Sequence, residues 1–302
     1  MSACVKSRPA HYGTGLLETE ISPSGDLIRW IRRLGPQAPS LFSTIATPAS
    51  LSTTATPSTA TGPARAPAGR PSTEVRLVAG TGSNRRRDYL VRGSDSAARL
   101  LSVGQTTGLS ETLQGLGSSL RELHRQGLPV QLTPHRGMHR LGCWLTGRSR
   151  RVWAAQAAGE LRDGLGEGRW TRLVDGWRDT TTDRDVVLVH GAPGLGGLVP
   201  AADGGGADLL TGEDLGAAPW YVDVGWTLGE LAEIRWRAGA STDWPDLAGS
   251  LALGYGREPD ERCADWAVLR IAMHLHDYVA YVRPDPAEVR RYLGLLTLLL
   301  DR

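Results

Sequence analysis

The stretch Val186-Val-Leu-Val-His-Gly-Ala-Pro-Gly-Leu-Gly-Gly-Leu-Val199 is the most informative part of this chain. Its opening run of Val and Leu predicts a short buried strand, and His190-Gly191 marks a tight exit from it.

Three common readings of such a loop fail on its own residues. A phosphate-binding loop needs Gly-Lys-Ser/Thr, because the Lys reaches the phosphates and the hydroxyl reaches Mg²⁺. Here those positions hold Gly197 and Leu198. The His-Gly pair also suits the oxyanion segment of an α/β-hydrolase, but no Gly-x-Ser-x-Gly elbow follows to supply a nucleophile. A dinucleotide fingerprint lacks its third glycine, since Val199 stands there.

A fourth reading accounts for the residues downstream as well. The loop is followed by Asp208-Leu-Leu-Thr-Gly-Glu-Asp-Leu-Gly216. Then come Pro219-Trp-Tyr-Val-Asp-Val-Gly-Trp-Thr-Leu-Gly-Glu-Leu231 and Leu253-Gly-Tyr-Gly256, and an apolar helix is predicted from Asp265 through Val282. Upstream, Gly117-Ser-Ser-Leu-Arg-Glu-Leu-His124 ends a predicted helix over Leu109–Arg125, with Ser110 as its expected N-cap. In this order the elements resemble the aminoglycoside-phosphotransferase-like family of protein-kinase-like enzymes, over about residues 109–282. The resemblance implies an α/β (α+β) protein of protein-kinase-like bilobal fold, with a reduced β-rich N-lobe and a mainly helical C-lobe.

It also implies what has been lost. The family's catalytic Asp falls on Ala192, its Mg²⁺-binding Asn on Gly197 and its second metal Asp on Thr211. A methyl group accepts no proton, and glycine offers no side-chain oxygen to a metal. Loss of a general base alone costs roughly 10²–10⁴-fold in rate. The family's phosphate-holding lysine has no counterpart, because the only lysine is Lys6. Arg92, at a predicted strand end, is the candidate substitute for holding a phosphate. If a site has been rebuilt, His190, Asp208 and Asp214 are its candidate catalytic residues, although Asp203, Asp208, Glu213 and Asp214 read first as solvated loop carboxylates. ATP and Mg²⁺ are the expected cofactors only if the nucleotide site survives. The resemblance implies a pseudokinase that binds a protein, a peptide or a small molecule, as degenerate members do in bacterial peptide natural-product pathways; an active transferase or cyclase is the alternative.

The remaining chain divides by composition. Residues 1–37 include a predicted amphipathic helix over Gly25–Arg33, with Leu27, Ile28, Trp30 and Ile31 as its apolar stripe. Residues 38–72 are rich in Ala, Thr, Ser and Pro and read as a linker. Residues 73–108 form the reduced N-lobe and 109–302 the helical C-lobe. Residues 73–92 read as a hairpin about Gly80-Thr-Gly-Ser-Asn84, either the lysine-bearing one or a later one that precedes the hinge. The later position fits better, and leaves the glycine-rich loop and lysine strand lost within residues 1–72. The arginines at 85–87 read as a solvated strand end. A second helix is predicted over about 151–164.

Net charge is +2 in 302 residues, which gives no electrostatic reason to expect nucleic acid or a membrane as partner. Cys4, Cys143 and Cys263 are odd in number and far apart, which predicts reduced thiols and a cytoplasmic protein. No metal site is predicted. His274 and His276 point apart on a helix, whereas His274 and Asp277 could share a face. Asp223 is expected to cap or orient the helix that follows it, and the tryptophans at 220, 226, 236, 244 and 266 are predicted core.

Overall fold

The computed structural model describes residues 9–49, 72–128, 135–239 and 244–302. Strands β1 (Ala10–Gly13), β2 (Leu17–Ser24), β3 (Leu27–Leu34), β4 (Val75–Ala79), β5 (Thr81–Ser83) and β6 (Arg86–Val91) precede helices α1 (Ala97–Ser102), α2 (Leu109–His124), α3 (Arg136–Leu145) and α4 (Val152–Thr182). Strands β7 (Val186–Val189), β8 (Leu198–Pro200), β9 (Ala207–Thr211) and β10 (Gly216–Pro219) follow. Helices α5 (Tyr221–Ala238), α6 (Leu247–Tyr255), α7 (Glu261–Tyr281) and α8 (Pro286–Leu300) complete the chain. Sheet is concentrated at the N-terminal side and helix at the C-terminal side. Among the described residues no helix is long and apolar enough to cross a membrane.

The predicted helix over 25–33 is a strand. Leu17–Ser24 and Leu27–Leu34 pair antiparallel across a tight turn at Gly25-Asp26, with Gly25 at φ 63°. That positive φ is open to glycine at little cost and drives the chain back on itself. The resulting sheet has the order β1-β2-β3-β6-β5. Residues 10–34, where strands were expected to be lost, therefore supply three of its five.

Alternation across β3 then sets the inner face. Ile21, Trp30 and Tyr89 lie side by side on three neighbouring strands and are buried with Val78, Val91, Val199 and Leu210. One step further along, Arg32 and Arg87 are opposite each other. Like charges in that position repel, so an acidic partner is needed beneath the sheet.

Residues 73–92 are not a single hairpin. Strand β4 runs parallel to β9, and the antiparallel turn is the shorter β5–β6 pair. Pairing with β9 sets Arg76 opposite Asp208. Asp208 is fully buried rather than solvated; Arg76 grips it through Nε and Nη2 at 2.7 and 3.0 Å, and Arg92 adds its backbone N–H and guanidinium. Burial opposes the charge, yet the two arginines hold this carboxyl below the usual Asp range.

The main core lies among the helices. Leu109, Leu113, Leu116, Leu120 and Leu123 of α2 are all fully buried, the apolar stripe that the sequence shows. The N-cap of α2 is Gly108 at φ 76°, two residues before the expected Ser110. Gly117 and Gly254 let α2 and α6 touch: a Cβ on Gly254 would sit 1.8 Å from the Gln114 carbonyl oxygen. Helix α4 runs well beyond the predicted 164, to Thr182, and breaks direction at Gly166 (φ 76°, ψ 162°).

The linker reading meets two outcomes. Residues 50–71 lie outside the described residues. Residues 40–43 pack onto the body, with Phe42 and Ser43 buried. The arginines at 86 and 87 are also bound: Arg86 to Asp88, and Arg87 to the carbonyls of Ser43, Ser83 and Gly212.

Replacing Asp208 with Asn leaves Arg76 and Arg92 without a counter-charge. Denaturant unfolding should show a loss of roughly 3 kcal/mol; a loss below about 1 kcal/mol is what a solvated surface pair would give.

Candidate functional site

The glycine-rich loop is held by one face of α5. Asp223, Thr227 and Glu230 recur at helical spacing and face the same way. The Asp223 carboxylate accepts the backbone N–H groups of His190 and Gly191 at 2.7 and 2.8 Å. The Thr227 hydroxyl donates to the Pro193 carbonyl at 2.9 Å, and Glu230 accepts the N–H of Leu195 at 2.8 Å. Asp223 thus orients the loop rather than capping its own helix.

Behind Asp223, the ring of His124 bonds its carboxylate through Nε2 at 3.0 Å and the Tyr255 hydroxyl through Nδ1 at 2.8 Å. Asp223 is fully buried. Burial opposes its charge, but the bonds from His124 and the loop hold the carboxyl below the usual Asp range. Burial pushes the Tyr255 hydroxyl up.

Gly191 is fixed by a close approach. At φ 89°, a Cβ there would lie 2.1 Å from the Asp214 carbonyl oxygen. The Gly191 carbonyl in turn bonds the buried ring of His135. The loop at 190–197 and the segment 211–214 therefore share one wall of the interlobe cleft, because Leu210 also donates its N–H to the Gly197 carbonyl at 2.9 Å.

At this wall the family's metal-binding and catalytic positions can be tested against their side chains. Ala192 and Gly197 present no oxygen beyond the backbone. Thr211 is fully buried, and its hydroxyl donates to the Leu209 carbonyl of its own strand at 3.0 Å. Glu213 accepts the Tyr89 hydroxyl at 2.8 Å and lies 3.2 Å from Arg32. The Arg32 guanidinium stands 3.8 Å from where a Cβ on Gly197 would be. These residues do not fit a Mg²⁺–triphosphate group.

The predicted site residues separate on inspection. His190 is buried and burial pushes its pKa down, so the ring is neutral at pH 7. Its Nε2 donates to the Leu210 carbonyl at 3.0 Å, while Nδ1 accepts the Ala192 N–H at 3.4 Å. No ring nitrogen remains for a substrate. Asp208 is spent on Arg76 and Arg92. Arg92 is spent in return, with Nε and Nη2 on Asp208 and Nη1 on the Gly205 carbonyl, so it holds no phosphate. Asp214 does border the loop; Arg136 grips its Oδ1 at 2.7 Å through both Nε and Nη2, leaving Oδ2 without a partner among the described residues. Burial opposes its charge, and Arg136, His135 and Arg140 hold its carboxyl below the usual range. Asp203 is exposed and accepts the Gly205 N–H.

Sequence reasoning missed Arg32 and Trp30, because both fell in the segment read as helix. The signal was Ser24-Gly25-Asp26, a turn between two runs of apolar residues. Trp30 lies under the sheet and donates its indole N–H to the Gly93 carbonyl at 3.2 Å. With Tyr12, Thr19, Ile21, Asp95, Arg99 and Gly196 it lines a cavity of about 500 Å³ between the sheet and the start of the helical part. Also missed was the segment 40–43, whose Ser43 bonds the Glu213 and Leu215 carbonyls.

His274 and Asp277 do not act together: His274 bonds Glu233, and Asp277 bonds Arg140. Among the described residues, no group of three or more His, Cys, Asp and Glu side chains is placed to hold a metal ion.

Comparison of the sequence with protein families and with curated proteins finds no match. Comparison with solved structures does. The choline kinase LicA from Streptococcus pneumoniae superposes with a TM-score of 0.52 at 8% identity, over 94% of this chain and 89% of that one. An ethanolamine kinase from Plasmodium vivax gives 0.51 at 10% identity, over 99% and 83%. The fold is that of the kinase-like phosphotransferases. Aminoglycoside phosphotransferases also match, among them APH(2'')-Ib at a TM-score of 0.48 and 10% identity, over 98% of this chain and 94% of that one.

The state of Asp223 makes a pH prediction. Its carboxyl ionises more readily in the folded than in the unfolded chain, so it adds stability above the free Asp value of about 4 and loses it as pH falls. Asp223→Asn should cost roughly 2–4 kcal/mol at neutral pH. It should also flatten the fall in stability on acidification. An unchanged acid slope in the variant would mean that Asp223 is not charged in the folded protein.

Proposed function

We propose that this chain is a pseudokinase: a kinase-like protein that has kept the phosphotransferase fold and exchanged the chemistry for a binding role. One observation carries the reading. The wall that a phosphotransferase would use for its base and its metal presents Ala192, Gly197 and a self-bonded Thr211, with Glu213 paired to Arg32 at 3.2 Å and accepting the Tyr89 hydroxyl. Such a site has no side-chain base at the position of the catalytic Asp, where Ala192 stands. It also has no pair of carboxylates to neutralise the charge that develops during phosphoryl transfer.

The cavity of about 500 Å³ beneath Trp30 falls in the range of small-ligand sites. It has an aromatic wall and a few polar groups, Ser94, Asp95 and Arg99 among them. A small molecule or a segment of a partner protein is its occupant in this reading. The chain then acts as an accessory to another enzyme, as degenerate members do in bacterial peptide natural-product pathways.

Asp214 is the observation that favours a second reading, an enzyme with a rebuilt site. Its Oδ2 is an acidic oxygen beside the loop without a protein partner among the described residues. His190 and Asp208 give that reading no support, since their polar atoms are engaged.

Turnover separates the two. Purified protein supplied with ATP and Mg²⁺ should release ADP at the rate of the buffer alone. Release that disappears in Asp214→Asn, with folding intact by circular dichroism, would overturn the pseudokinase reading in favour of the rebuilt enzyme.

A further inference from the structure

Outside the interlobe cleft, a second cavity of about 560 Å³ opens where α3, the loop 146–151 and the C-terminal half of α7 meet. Its lining includes His139, Arg148, Arg150, Arg151, His276 and Tyr281, and no acidic side chain. That lining is unusual because its positive charge is not neutralised from within the protein. The acid beside it, Asp277, already takes Arg140 through both oxygens and the Nδ1 of His276.

The three loop arginines are left without carboxylates among the described residues. Arg148 donates through Nε to the Thr146 hydroxyl at 3.0 Å. Arg151 donates to the Gln37 carbonyl at 3.0 Å and lies over the Tyr281 ring, 5.2 Å from its centre. These two contacts hold that guanidinium in place before any ligand arrives. Arg150 makes no hydrogen bond or ion pair within the described residues. His276 is buried, with 4% of its side chain exposed, and its Nε2 has no protein partner on the cavity side.

We propose that this cavity is a binding site for a small organic oxyanion carrying a phosphate ester. Three guanidinium forks offer paired N–H donors of the geometry that phosphate oxygens accept. A dianion gains more from them than a monocarboxylate does, and a cationic ligand meets like charge. A bare phosphate fills only part of the volume, and the remainder accommodates an organic body. The site is separate from the cleft, so the inference does not rest on the pseudokinase reading.

The test is a calorimetric titration of the full chain with inorganic phosphate, glycerol phosphate and citrate, at ionic strength held constant with sodium chloride. Wild-type protein should bind both phosphates saturably, with glycerol phosphate tighter than citrate. The double variant Arg148→Gln, Arg150→Gln should weaken phosphate binding by about tenfold or more, given the strength of charge-assisted bonds. Its thermal unfolding without ligand should be unchanged, because neither arginine holds a carboxylate. Equal affinity in the variant, or heat that follows ionic strength alone, would overturn the proposal. So would tight binding of an acidic peptide that phosphate does not displace, because that would make the surface a protein-docking site.

Discussion

The structure of the site depends on the carboxylate of Asp223. A glycine-rich loop has little conformational preference of its own, and ordering it costs on the order of 1–2 kcal/mol per residue. Here the cost is offset by a buried anion that takes two consecutive backbone N–H groups, His190 and Gly191, and is itself oriented by His124. Thr227 and Glu230 extend the same grip along α5 to residues 193 and 195. The consequence is a loop whose conformation is held by the protein's own side chains. The side chains at 192 and 197 contribute nothing to what holds the loop, so the fold does not depend on them.

The second constraint is electrostatic. Strand β3 brings Arg32 opposite Arg87, two like charges on the inner face of a sheet. Arg87 is taken up by backbone carbonyls and Arg32 by Glu213, which also accepts the Tyr89 hydroxyl. A carboxylate paired with an arginine in this way has its charge offset from within the protein, and the arginine brings positive charge to this wall.

How far the sequence could be read followed the range of the interactions involved. The loop at 186–199 and the leucines of α2 were legible because their signals are local: an apolar run with a Gly exit, and a regular helical stripe. The segment 25–33 was misread for a reason of the same kind. Leu27, Ile28, Trp30 and Ile31 satisfy a short helical pattern, and only the Gly25-Asp26 turn with pairing to Leu17–Ser24 decides for a strand. With that strand misassigned, Arg32 and Trp30 could not be placed in the cleft. Asp208 was beyond reach altogether, since its partners are 132 and 116 residues away in sequence. Nothing local distinguishes it from the exposed Asp203.

We propose that the Arg32–Glu213 pair stands in the place of a metal–nucleotide complex. It is tested most directly by calorimetric titration of ATP into the protein, with Mg²⁺ absent and then in millimolar excess. The account predicts that Mg²⁺ leaves the affinity unchanged, whatever weak binding ATP itself shows. Tightening by about tenfold or more on adding Mg²⁺, equivalent to about 1.4 kcal/mol, would contradict it and restore a working metal site to the cleft.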